Sequence, residues 1–293
     1  MLRKALLLFG ILMPSLAAGG EKPAVLRVAS PEMPTQFNPY RAGNDAERQA
    51  VDLLFEPLIA PSLGANGAVQ YRPVLAEAIP VGQGVQLTFQ LRPGAVWSDG
   101  APVTANDVRH SLRHLRQDPG ASHAWATLVD QPQLGATPGE VRISLRQGLV
   151  DPWELFGFSV VPQLYQGRDL VAPTDLEFGK RPIGSGPFLV VGPTKIDGLA
   201  AMVFRKNPHH RLAGKIPFDE IHWFAATNAK DLEAIKPDVV LGIDAEATNR
   251  TTQPTARVWY VAPNHRHPLL GQPELRRFLG LALERDKIVG GSP

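Results

Sequence analysis

The 293-residue chain contains no cysteine. That absence excludes disulfides, thiolate metal sites, iron–sulfur clusters and cysteine nucleophiles. It also excludes a lipid anchor on an N-terminal cysteine. Long hydrophobic runs are missing too. No segment reaches the roughly 20 apolar residues that cross a bilayer. Charge of one sign is scarce: 30 Lys and Arg offset 28 Asp and Glu, leaving a formal net charge of +2. Arg109, Arg113 and Arg116, with His110 and His114, are read as a solvated helix face. No aromatic-interleaved basic motif accompanies them, so nucleic acid is not expected as a partner.

What the chain has in abundance is proline, 28 residues scattered along its length. A typical share is about 5%. Their spread implies stiff loops between short elements. The apolar fraction of 44% and charged fraction of 20% are those of a globular protein, so wholesale disorder is not expected. The length suits about two domains of roughly 150 residues each.

Residues 1–20 read as an export signal. Arg3 and Lys4 supply the positive start, Ala5 to Leu12 the apolar run, and Ser15-Leu16-Ala17 the small residues at a cleavage site. The mature protein is expected in the periplasm, soluble and not a lipoprotein.

Periodicity then sets out the elements. A strand is expected at Val25–Ala29. A helix follows Asn44, with Glu47 placed to close a capping box, and carries Val51, Leu54, Phe55 and Leu58 on one face. Val85, Leu87, Phe89 and Leu91 alternate with polar residues, as in a strand with one buried face. Thr104 and Asp107 open a helix whose apolar face is Val108, Leu112 and Leu115. Val141, Ile143 and Leu145 form another strand, and further strands are expected at Phe188–Val191, Ala201–Phe204 and Ile221–Phe224. Val239–Ile243 is almost wholly apolar and suits a strand covered on both faces. A last helix starts at Pro273. Strands and helices mix without strict βαβ alternation, so the fold class is mixed α/β.

Catalytic chemistry finds little support. Gly184-Ser185-Gly186 lacks the Gly-x-Ser-x-Gly frame of a nucleophile elbow, and its glycines are read as backbone flexibility. His209-His210 and His265-Arg266-His267 lack the helical His-x-x-x-His spacing of a metal site and are read as exposed loop histidines. No carboxylate pair stands out as an acid/base couple. Neither an enzyme, a metal nor a cofactor is expected. Trp97, Trp125, Trp153, Trp223 and Trp259 are read as core residues, with a ligand cleft as the alternative.

The stretch Val85–Asp107 carries a longer pattern. A strand leads into Leu91-Arg92-Pro93-Gly94, then Trp97-Ser98-Asp99-Gly100, then Thr104-Ala105-Asn106-Asp107. Other motifs stand in order around it. They are Pro34-Thr35-Gln36-Phe37-Asn38-Pro39, Leu53-Leu54-Phe55-Glu56-Pro57-Leu58 and Pro73-Val74-Leu75-Ala76-Glu77. Pro182-Ile183-Gly184-Ser185-Gly186-Pro187-Phe188, Arg205-Lys206-Asn207-Pro208, Phe218-Asp219-Glu220-Ile221 and Leu275–Val289 follow. Together these resemble the peptide/nickel-type extracellular solute-binding family, family 5, of ABC importers.

The resemblance implies a mixed-sheet, type II periplasmic-binding-protein-like lobe with an inserted domain, the second lobe being largely missing. It places lobe I at 24–60 and 182–262, the inserted domain at 61–181 and the start of a truncated lobe II at 263–293. It implies a monomer that binds peptides or similar small solutes and delivers them to a membrane permease. Met33, Pro34 and Thr35 are the implied ligand contacts, through backbone pairing with an extended ligand. The alternative is a degenerate, truncated member that acts as a protein-interaction or sensory module without transport.

Overall fold

A computed structural model describes residues 23–63, 68–80, 85–117, 128–130, 132–149, 151–243 and 272. The expected export signal and final helix, Trp125, Trp259 and the 265–267 histidines lie outside the described residues. The chain divides into two compact units, Met1–Ala245 and Glu246–Pro293, and every element below belongs to the first.

Two β-sheets organise this unit. The larger has five strands in the order β12-β1-β11-β10-β9. These are β1 (Val25–Ser30), β9 (Phe188–Ile196), β10 (Leu199–Lys206), β11 (Glu220–Ala225) and β12 (Val239–Val240). β1 runs parallel to both β11 and β12, whereas β9, β10 and β11 form an antiparallel meander. The β9–β10 hairpin turns at Asp197-Gly198, both at positive φ, 53° and 81°. Two such residues in a row match the twist of the flanking strands.

Both faces of this sheet are covered, and side-chain alternation decides what each face meets. Val28, Met202, Phe204, Ile221 and Trp223 share a core with helix α1 (Asp45–Leu54). Ala29, Ala201 and Phe224, one residue out of step, pack with Ile235 of α4 (Ala229–Ile235). Val161, Tyr165, Leu170, Ala172 and Phe178 join the α1 side, Phe178 from the short helix α3 (Leu176–Lys180).

The smaller sheet is antiparallel, in the order β4 (Gln86–Gln90), β6 (Glu140–Ser144), β5 (Gln133–Leu134). Its buried residues Leu87, Phe89, Val141 and Ile143 pack against Val108 and Leu112 of α2 (Ala105–Gln117). Phe89 and Phe156 meet with ring centroids 4.8 Å apart. Two hairpins complete the unit: β2 (Ile59–Leu63) with β3 (Val69–Pro73), and β7 (Leu164–Tyr165) with β8 (Arg168–Asp169).

Several expectations need correction. Val239–Ile243 yields only a two-residue strand, and among the described residues it lies at the sheet edge with Val239 exposed. The α2 face with the histidines is solvated only in part: Arg113 is exposed and His114 half-exposed, but His110 is buried. Its apolar neighbours Val108 and Leu112 draw the adjacent positions inward. His210 is also buried rather than exposed. Finally, Gly184 and Gly186 do not serve flexibility. A Cβ on either would collide with the backbone of Leu53 and Leu54, where Gly186 N donates to Leu54 O at 2.8 Å. These glycines exist so that the strand entering β9 can touch the end of α1.

Candidate functional site

The carboxyl ends of the parallel strands β1 and β11 emerge side by side, at Ser30 and Ala225. In open α/β sheets, ligands bind beyond the carboxyl ends of the strands. The residues just after β1 are therefore the first place to look.

Here the chain turns out of the sheet under tight control. Ser30 is buried, and its hydroxyl oxygen accepts from Trp223 Nε1 at 2.7 Å while donating to Glu32 O at 2.6 Å. Ala226 N donates to Ser30 O at 2.8 Å, tying the β11 exit to the same point. Pro34 is buried, and Met33 is half-buried against the α1-side core. Thr35 is exposed.

Glu47 then clamps the segment from α1. Its carboxylate accepts from Thr35 Oγ1 at 3.1 Å, Gln36 N at 3.2 Å and Gly43 N at 2.8 Å. Asn44 caps the helix as expected, accepting from Glu47 N at 2.8 Å. The capping box does not close on Asn44, however. Glu47 reaches past it, because the loop supplies three donors to a carboxylate that is only 7% exposed. A buried carboxylate persists when such bonds replace its water.

The clamp continues downstream. Gln36 Oε1 accepts from Asn38 N at 2.9 Å, and the Asn38 amide group donates to Ala172 O. Phe37 N donates to Gly179 O at 3.0 Å. A side chain at 179 would strike the Gln36 carboxamide, which accounts for the glycine there.

The three residues singled out from sequence thus form one shelf. Among the described residues, no partner takes the backbone amides of Met33 and Thr35. Beside the shelf lies a cavity of about 190 Å³, lined by Met33, Leu199, Phe224, Ala225, Asp231 and Ile235. Sequence reasoning missed the supports: Glu47, Ser30, Trp223, Gln36 and Gly179. Glu47 had a local signal as a helix-cap residue, but its true partners come from a loop 11 and 12 residues away.

A second polar cluster sits elsewhere. Glu56, just past α1, accepts from Arg211 and from His210 Nε2, the latter at 3.1 Å. Leu212 N donates to His210 Nδ1 at 3.3 Å, so the ring proton is on Nε2. The Glu56 amide reaches Ser185 Oγ at 3.3 Å. Ser185, the serine of the glycine-flanked motif, is buried and engaged in this joint, with no base presented to it among the described residues. The cluster borders a groove of about 710 Å³ walled by Phe55, Phe188, Phe218, Arg72 and Lys215. Its residues fasten the end of α1 to the loop after β10.

Residues 70–291 match the model of the bacterial extracellular solute-binding proteins, family 5. The chain belongs to that family. This family comprises solute-binding proteins rather than enzymes. Protein XP55 of Streptomyces lividans is 30% identical over 155 residues, 50% of this chain and 27% of that protein. A dipeptide-binding protein of Pseudomonas aeruginosa is 24% identical over 297 aligned residues, covering 87% of this chain and 54% of that one. Among solved structures, MoaA of A. tumefaciens R10 in complex with mannopinic acid superposes with a TM-score of 0.61 at 24% identity. That match covers 75% of this chain and 45% of MoaA, and it shows the periplasmic-binding-protein fold. The chain therefore spans about half the length, or less, of the relatives it matches. Among the described residues, no helix is long and apolar enough to cross a membrane.

Proposed function

We propose that this protein is an extracytoplasmic solute-binding component of an ABC importer, and that it takes peptides or similar small solutes for delivery to a membrane permease. The observation that carries the reading is the shelf Met33-Pro34-Thr35, held by Glu47 and Ser30 with its backbone amides open. An extended ligand pairs with such a backbone through its own main chain, independently of its side chains. Pre-organisation removes the ordering cost that a mobile loop would impose on binding. The adjacent cavity beside Met33 is of a size for one ligand side chain. That a relative is a dipeptide-binding protein supports the ligand class.

The same reading assigns 24–60 and 182–262 to one lobe and 61–181 to an insertion. β1 and β9–β11, drawn from both outer stretches, lie in one sheet, which supports that assignment.

The test is thermal denaturation against pools of dipeptides, tripeptides and longer peptides. A ligand at a hundredfold excess over its Kd stabilises by about 2.7 kcal/mol. A binding peptide whose backbone carbonyls, the acceptors for the open shelf amides, are reduced to methylenes is expected to lose most of that stabilisation, while side-chain changes alter it less. The reading fails if no peptide, nickel chelate or haem pool moves the melting curve. It also fails if reduction of the peptide carbonyls leaves the shift unchanged.

A further inference from the structure

Helix α2 carries a His-x-x-x-His pair, His110 and His114, that the shelf does not use. Four residues apart on a helix, the two rings share one face. Their Nε2 atoms lie 3.1 Å apart, with ring planes at 89°. A third base joins them: Leu170 O is 3.1 Å from His114 Nε2, and this carbonyl acts on both rings.

Three electron-pair donors thus face one another with one proton between them. Leu170 O can only accept, so His114 Nε2–H donates toward it, and His110 Nε2 presents a lone pair to the same hydrogen. A pair of imidazole nitrogens on metal–nitrogen bonds of about 2.0–2.1 Å stands at close to this separation when the angle at the metal is about 100°. That angle lies between octahedral and tetrahedral coordination, so moving the His114 proton to Nδ1 would complete the donor set without net loss of a proton.

We infer that His110 Nε2, His114 Nε2 and the Leu170 carbonyl form a site for a first-row divalent cation of the zinc, nickel or copper type. Imidazole suits those ions, whereas calcium and magnesium demand an oxygen cage. His110 is buried, which favours the uncharged imidazole that a metal needs. Asp169, next to Leu170, is the nearby negative charge that favours a cation at His110, and Arg113 is the positive charge that opposes it. Half-exposed His114 gives the entry side. None of the three donors is a shelf residue, so the site adds a structural or regulatory cation to a solute binder and does not make the cation its cargo.

The experiment is calorimetric titration of the chelator-treated, purified chain with zinc, nickel and copper chlorides, with calcium as the negative control. One saturable site per chain is expected for the transition metals, and it should be lost in both His110→Gln and His114→Gln. Arg113→Ala should tighten it. His209→Ala, at a histidine outside the cluster, should leave it unchanged. Because the buried variants could unfold, the unaltered chain is also titrated with cobalt(II). Visible d–d bands of a nitrogen-ligated, non-octahedral ion are expected at one equivalent. Absence of saturable binding in the unaltered chain overturns the proposal, as does binding that survives both glutamine substitutions in folded protein.

Discussion

The two larger sheets among the described residues are built on opposite plans. The three-stranded sheet is antiparallel, and its core lies between one sheet face and α2. The five-stranded sheet joins β1 to β11 in parallel across 195 residues of sequence, and it is buried on both faces. The difference separates stability from function. A half-covered antiparallel sheet stores packing energy and little else. The parallel pair β1 and β11 brings its carboxyl ends to one edge, and the loop that leaves β1 there is the proposed ligand shelf.

The sharpest way to break the comparison is in the smaller sheet. Phe89 is fully buried against Phe156. Phe89→Ala is expected to destabilise by about 3–5 kcal/mol through lost burial and the cavity left behind. Urea denaturation would measure it. Because the shelf belongs to the other sheet, peptide affinity of the fraction that remains folded should not change. A parallel loss of affinity would show that the two plans are not separable.

The joint between α1 and the larger sheet comes next. Gly184→Ala forces a methyl into the Leu54 carbonyl, whereas Gly148 has open space about its Cβ position. Overpacking of this kind costs about 1–3 kcal/mol. Gly148→Ala should stay close to the parent chain. Equal stability of the two variants would return the 184–186 glycines to the role of flexible linkers.

How far the sequence foretold all this depends on the same contrast. Leu87, Phe89, Val141 and Ile143 alternate with polar residues, because only one face of their sheet meets a core. That pattern is readable. Asp197-Gly198 was equally readable as a hairpin turn, yet strand estimates at Phe188–Val191 and Ala201–Phe204 stopped short of it. β12 misled through composition: apolar residues suggested a covered strand, and Val239 stands exposed at an edge. The shelf residues emerged from family resemblance alone. Nothing local in Met33-Pro34-Thr35 announces that Glu47 will clamp them. The clamp depends on where α1 docks, and docking depends on glycines at 184 and 186, more than a hundred residues away. Long-range close approaches leave no periodic trace. His110 and His114 did carry a helical spacing, and charge beside them disguised it as a solvated face.

The smallest expected effect distinguishes the sheets by their ion pairs. Glu220 lies directly across from Arg205 on the neighbouring strand, at 3.1 Å, and its other oxygen meets His222 at 3.1 Å. Glu140 pairs with Arg142 of its own strand, at 2.8 Å, so that bond joins no strands. His222, followed by Arg205, holds the Glu220 carboxyl below its ordinary value of 4.5. A depressed carboxylate pKa stabilises the fold above the unfolded value, and the gain disappears as pH falls through the folded one. The chain should therefore lose stability on acidification below about pH 4.5, and Glu220→Gln should reduce the dependence. The pair is near the surface, so the difference at neutral pH is about 0.5 kcal/mol. Glu140→Gln should change the acid limb less, since losing it unties no strand. Matched urea titrations at pH 7 and pH 4 would measure both. If the two variants lose stability alike, cross-strand placement contributes nothing, and the larger sheet relies on its two covered faces.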